Sequence, residues 1–192
     1  NSTVCNIFIL GKYNFIENLT IKNTYINNTG VTNYIGIKCG KDPTGTDIIS
    51  QLGPIYINNI NIEIGNITTG NIGIYTQYCH VITNKININL LDISDTKNTN
   101  YGIKSDKYSK LLVNNCEIKI DRTGTNNYGI HSTDNNNLEI NDSSIIISGF
   151  ADNYGIYISN TYYKINKSKI IASNYINYQS YGITNISNNG YV

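Results

Sequence analysis

The chain has 192 residues, only 14% of them charged, and a formal net charge of +1. So sparse and balanced a charge offers nothing to draw it to nucleic acid or an anionic membrane, and a single arginine, Arg122, leaves no set of arginine forks for phosphate or polycarboxylate recognition. No apolar run is long enough for a membrane span or a signal peptide, and the absence of methionine leads us to expect a processed form or an excised piece.

Ile, Tyr, Thr and Val are plentiful, and Ala151 and Ala172 are the only alanines, so an all-β domain is expected over residues 1–192. A short phrase recurs along it. Ile7-Phe8-Ile9 is a first copy without glycine, followed by Ile16, the polar pair Glu17-Asn18 and Leu19-x-Ile21. Ile35-Gly36-Ile37 opens the second copy. A loop insertion over 38–54, holding both prolines, separates it from Ile55-x-Ile57, Asn58-Asn59 and Ile60-x-Ile62-x-Ile64. Ile72-Gly73-Ile74 leads to Val81-x-Thr83, Asn84-Lys85 and Ile86-x-Ile88-x-Leu90. Tyr101-Gly102-Ile103 leads to Leu111-x-Val113, Asn114-Asn115 and Cys116-x-Ile118-x-Ile120. Tyr128-Gly129-Ile130 precedes Leu138-x-Ile140, Asn141-Asp142 and Ser143-x-Ile145-x-Ile147. Tyr154-Gly155-Ile156 precedes Tyr163-x-Ile165, Asn166-Lys167 and Ser168-x-Ile170-x-Ala172, and Tyr181-Gly182-Ile183 is the last copy.

The central residues of the copies lie 26 to 37 positions apart, a period that belongs to stacked repeat architectures. Alternation with period two predicts three strands per rung over about seven rungs: one at the glycine phrase, one before the polar pair and one after it. A tight two-residue bend wants a residue at ease in left-handed conformation, which asparagine tolerates best after glycine. With rungs about 4.8 Å apart, Asn58, Asn84, Asn114, Asn141 and Asn166 are expected to hydrogen-bond up the stack as a ladder.

This pattern of a Gly-Ile first strand, an Asn bend and three short strands per turn resembles the right-handed, single-stranded parallel β-helix of the pectate-lyase-like superfamily. The resemblance covers essentially the whole chain, but it is one of fold and repeat. That superfamily holds polysaccharide lyases and hydrolases as well as spikes and adhesins, so fold alone assigns no activity.

Alternation assigns Ile7, Ile35, Ile72, Tyr101, Tyr128, Tyr154 and Tyr181 to one inward column of the first strand, and Ile9, Ile37, Ile74, Ile103, Ile130, Ile156 and Ile183 to another. Facing outward are a column of Phe8 with the glycines and a column of Leu10, Lys38, Tyr75, Lys104, His131, Tyr157 and Thr184. Neither outward column carries an acid, whereas polysaccharide-active members need paired carboxylates, or carboxylates holding calcium, on this face. Tyr75, Lys104, His131 and Tyr157 beside a glycine floor are instead candidates for binding a glycan or a protein partner. His80 and His131, in different rungs, read as surface histidines. No nucleotide, zinc or hydrolase motif occurs, so no metal, cofactor or catalytic residue is assigned. Cys116 reads as a buried thiol, and Cys39 with Cys79, on adjacent rungs near one corner, is the preferred disulfide, with Cys5 able to compete.

The expected function is therefore that of a structural or binding module of a secreted, cell-surface or virion protein. It would be an adhesin or filament subunit, contacting glycans, with like subunits or a continuing domain at its open ends. The alternative is a lyase or hydrolase acting on polysaccharide.

Overall fold

The computed structural model describes residues 2–10, 13–23, 31–40, 54–65, 70–91, 99–121, 124–135, 137–174 and 178–186. Most of the 38–54 insertion therefore lies outside the described residues. The strands follow the chain turn by turn. First come β1 (Ser2–Ile9) and β2 (Phe15–Asn23), then β3 (Val31–Cys39) with β4 (Ile55–Gly65), and β5 (Gly70–Gln77) with β6 (His80–Leu91). Three turns of three strands follow: β7 (Thr99–Asp106), β8 (Lys110–Asn114) and β9 (Glu117–Asp121); β10 (Asn126–Thr133), β11 (Asn137–Asn141) and β12 (Ser144–Ser148); β13 (Asp152–Ser159), β14 (Tyr163–Asn166) and β15 (Lys169–Ala172). β16 (Ser180–Asn185) is the last strand described.

All strand pairs are parallel and join each turn to the next, so the described residues form an all-β solenoid without a helix. About five turns are complete, from β3 round to β15. The first sheet runs β1-β3-β5-β7-β10-β13-β16. The second and third strand columns belong to one sheet rather than two, because β2, β4 and β6 run straight through the polar bend and β6 pairs with both β8 and β9.

The bend explains that continuity. Its second residue, and not the first, is left-handed: Asn18, Asn59, Lys85, Asn115, Asp142 and Lys167 all have φ between 45° and 56°. One residue in this region turns the strand while the turn-to-turn ladder persists, with Asn115 N donating to Asn141 O at 3.1 Å and Asp142 N to Asn166 O at 3.1 Å. Asn and Asp tolerate that conformation, whereas Lys85 and Lys167 hold it because the stack on either side dictates it.

The first residue of each bend is thereby freed to stack. Asn84 Nδ2 donates to Asn58 Oδ1 at 3.0 Å, Asn141 to Asn114 at 2.9 Å and Asn166 to Asn141 at 2.6 Å. Between these runs, Asn84 Oδ1 accepts from Asn115 Nδ2 at 3.1 Å, so the chain of amides crosses to the second bend position there. A second asparagine ladder, not foreseen from sequence, runs inside the first sheet. Asn71 donates to Asn100 at 3.0 Å, Asn100 to Asn127 at 3.0 Å and Asn127 to Asn153 at 2.9 Å, and none of the four is more than 1% exposed.

The core between the sheets is mostly isoleucine, supplied by alternating positions of the second sheet and by Ile37, Ile74, Ile103, Ile130 and Ile156 of the first, with Val81, Leu90, Leu111, Val113 and Leu138 among them. The other expected inward column is inverted. Tyr101, Tyr128, Tyr154 and Tyr181 lie on the outer face, and the glycines after them point inward. In β7 the pairing passes from Tyr101 to Ile103, and Gly102 and Ile103 are both buried, so strict alternation breaks at the glycine. A Cβ on Gly102 would lie 2.4 Å from Ile118 Cγ2 and 2.6 Å from the Gly129 carbonyl oxygen, which is why this step has no side chain. The first copy also slips by two residues: Cys5 pairs with Ile35, Ile7 with Ile37 and Phe8 with Lys38. Without a glycine to mark the break, a shift of two leaves the inside–outside pattern unchanged and is invisible to periodicity.

Candidate functional site

The outer face of the first sheet carries a dense set of aromatic, basic and hydroxyl side chains. Two columns stand side by side along the stack. One is Ile35, Ile72, Tyr101, Tyr128, Tyr154 and Tyr181; the other is Phe8, Lys38, Tyr75, Lys104, His131, Tyr157 and Thr184. Tyr75, Lys104, His131 and Tyr157 therefore do share one outward column. The surface beside them is a tyrosine ladder, not a glycine floor.

In-register parallel pairing sets the geometry of that ladder. Tyr101 and Tyr128 have ring centroids 5.2 Å apart, Tyr128 and Tyr154 4.7 Å, and Tyr154 and Tyr181 5.2 Å, with planes within 15° of parallel. Rings stacked along the axis spend their faces on one another and turn edges and hydroxyls outward. In the neighbouring column His131 and Tyr157 stack at 4.9 Å, and His131 meets Tyr101 and Tyr128 edge-on at 5.3 and 4.9 Å. The lysines lie over rings: Lys38 Nζ over Phe8 at 5.1 Å, and Lys104 Nζ over Tyr101 at 5.1 Å and Tyr75 at 5.6 Å.

A third outward column, Gln77, Asp106, Thr133 and Ser159, supplies an acid. Asp106 binds Lys104 Nζ at 3.2 Å, accepts from Thr133 Oγ1 at 2.9 Å and lies 4.0 Å from His131 Nδ1. It stands two residues beyond Lys104 on the same strand, so the outward alternation contained the signal; the reading from sequence ended one column short. His131 is no surface histidine, since its side chain is 16% exposed. Burial lowers its pKa to about 4, with Asp106 opposing that shift and Lys104 reinforcing it, so the imidazole is neutral near pH 7. Burial likewise raises the phenol pKa values of Tyr101, Tyr128 and Tyr154, with nearby carboxylates adding to the effect. His80 sits on β6 of the other sheet, so the two histidines share no site.

Below this face the first sheet ends in a buried polar corner. Asn135 Nδ2 reaches the Ser105 carbonyl at 2.7 Å and Ser132 Oγ at 2.7 Å, and its Oδ1 accepts from Ser109 N at 3.1 Å. That network fixes the strand ends carrying Asp106 and Thr133. Cys79 lies at the same corner, buried like Cys39, and burial lifts its thiol pKa to about 11. The expected Cys39–Cys79 bridge is not formed, and Cys5, Cys39, Cys79 and Cys116 are free thiols. Cys39 is in register with Thr76, three residues short of Cys79, and Cys5 with Ile35, so register aligns none of the three with another. Cys116 is buried as expected and donates to the Asn114 carbonyl at 3.1 Å. No group of three metal-binding side chains occurs among the described residues.

No family model matches the chain, and neither the curated proteins nor the solved structures compared with it gave a match.

Proposed function

We propose that the chain is a structural and binding rod: a right-handed parallel β-helix of about seven rungs, similar in kind to the pectate-lyase-like superfamily, from a secreted, cell-surface or virion protein. The outer face of its first sheet is the contact surface, for a glycan in the first instance. The observation that supports this is the pair of adjacent, in-register columns centred on Tyr128 and His131, which set phenols on four successive turns beside the imidazole of His131 and the ammonium of Lys104. An extended polymer lying along the stack would meet a phenol on each of the four turns from Tyr101 to Tyr181. Because the ring faces are already stacked, recognition there is by hydrogen bonds to phenol tips and to Thr133 and Ser159 more than by sugar–ring stacking. At β16, where the core residue Ile183 is 49% exposed, a further strand from a like subunit or a continuing domain would complete the stack. A glycan array probed with the chain and with a Tyr157→Ala, Lys104→Ala double variant tests the reading. Binding that the double variant loses supports it, and an array without a hit, or with hits indifferent to the variant, rejects it.

A polysaccharide lyase or hydrolase is the second reading, favoured by Asp106 beside Lys104 and His131 on the same face. Acid, ammonium and imidazole within a few ångströms are the raw material of proton transfer. Release of unsaturated or reducing ends that Asp106→Asn abolishes would establish it.

A further inference from the structure

We propose that the column Tyr101, Tyr128, Tyr154 and Tyr181 is an oxidative cross-linking site, at which a one-electron oxidant of the peroxidase and hydrogen peroxide class joins neighbouring rings as dityrosine. The basis is geometric. The four residues pair in register through consecutive parallel strands, Tyr101 with Tyr128, Tyr128 with Tyr154 and Tyr154 with Tyr181. Their rings are 4.7 to 5.2 Å apart and 10° to 15° from parallel. Parallel in-register strands repeat each side chain by translation, so the carbon ortho to one hydroxyl lies beside its equivalent on the next ring. By contrast the Tyr78 and Tyr108 rings are 6.2 Å apart and tilted by 34°.

The chemistry asks the protein for this spacing and for rotation of the two rings. Each of two adjacent phenols gives up one electron and one proton, leaving phenoxyl radicals whose unpaired spin is shared with the ortho carbons. The two ortho carbons form one carbon–carbon bond, and the hydrogen on each then moves to its oxygen to restore two phenols. Hydrogen peroxide takes up the two electrons and two protons and leaves as two waters, so the chain loses two hydrogens per bond. The ladder lies on the outer face, half-buried at Tyr101, Tyr128 and Tyr154 and 39% exposed at Tyr181, so bond formation requires the rings to turn about their side-chain torsions while the strands stay paired. Each bond would tie one turn of the solenoid to the next, a covalent staple in a chain whose four cysteines are free thiols.

The test treats the full chain, at a dilution that suppresses encounters between molecules, with a peroxidase and hydrogen peroxide. Readouts are dityrosine fluorescence and mass-spectrometric mapping of linked peptides. The expected products are monomeric chains with Tyr101–Tyr128, Tyr128–Tyr154 or Tyr154–Tyr181 links. Tyr128→Phe keeps a ring in the stack but removes the phenol, and should leave the Tyr154–Tyr181 link alone; Tyr154→Phe should leave Tyr101–Tyr128 alone. Absence of intramolecular dityrosine, links falling instead between chains at exposed Tyr13, Tyr108 or Tyr162, or yields unchanged in both variants would overturn the proposal.

Discussion

At the scale of single residues, glycine and histidine carry opposite kinds of constraint. Gly129 marks the point where the strand turns two consecutive residues inward, and a Cβ there would sit 2.3 Å from Ile145 Cγ2 and 2.5 Å from the Gly155 carbonyl oxygen. One obstacle is backbone and the other a packed core side chain, so Gly129→Ala should cost roughly 2–3 kcal/mol, the upper part of the range for overpacking. Gly182, whose Cβ would meet nothing within 4 Å, is the control, and its alanine variant should unfold at the wild-type denaturant midpoint. His131 is constrained by charge. Its pKa, about 4 when folded, lies below the roughly 6.5 of an unfolded histidine, so between those values the unfolded chain binds more protons. Stability should therefore fall as pH drops through this window, by an upper bound of about 3 kcal/mol. Asp106, which faces the imidazole with Lys104, Tyr101, Tyr128 and Tyr157 around it, offers the charged form a partial refuge and reduces that loss. Urea unfolding at pH 7 and pH 4.5 checks the sign: His131→Phe should lose less on acidification than wild type, and an equal loss would locate the acid sensitivity elsewhere.

At the scale of elements, the stack holds two asparagine ladders that differ in burial. The bend ladder of Asn58, Asn84, Asn114, Asn141 and Asn166 is half-buried, and water can replace a missing amide. Asn114→Ala should therefore cost about 0.5–1.5 kcal/mol, the net worth of an ordinary hydrogen bond. Asn127 is fully buried, donates to Asn153 and accepts from Asn100, so its removal strands two partners out of reach of water. Asn127→Ala should cost about 1–3 kcal/mol, and finding it no worse than Asn114→Ala would contradict the burial argument. How much of this was legible in the sequence follows from the same residues. The bend ladder could be read because Asn recurs at a fixed place beside a period-two run. The buried ladder recurs two residues before four of the six phrase glycines, Gly73, Gly102, Gly129 and Gly155, but a polar residue at an inward position contradicts the pattern by which strands are read. The inversion of the tyrosine column has the same root: alternation was carried across a glycine at which the backbone does not alternate. Asp106 lies in a third outward column, Gln77, Asp106, Thr133 and Ser159, where no residue type recurs to mark the position.

At the scale of the whole molecule, a solenoid distributes its side chains into columns, and what a face can do depends on which columns lie together. The first sheet brings one carboxylate, Asp106, into contact with Lys104, and the next acid on that face, Asp152, lies at the other end of its strand, one position before Asn153 and in register with Asn126. Asp106 and Asp152 thus stand at opposite ends of the strands and two turns apart, with the tyrosine ladder between them. Glycosidic hydrolysis needs two carboxyl groups flanking one bond, within about 10 Å of each other, and elimination needs a base poised over an acidic C–H. Lys104 is drawn to Asp106 and Tyr101, and His131, although neutral, is wedged between aromatic rings with its Nδ1 toward Asp106. The isolated chain should accordingly bind without turnover. Incubated with pectin, alginate and neutral β-linked glycans, it should release neither unsaturated nor reducing ends above the level of an Asp106→Asn variant. Product release by the wild type that this single substitution removes would instead make the outer face a catalytic one, and would place the proton-transferring groups in the Asp106, Lys104 and His131 cluster.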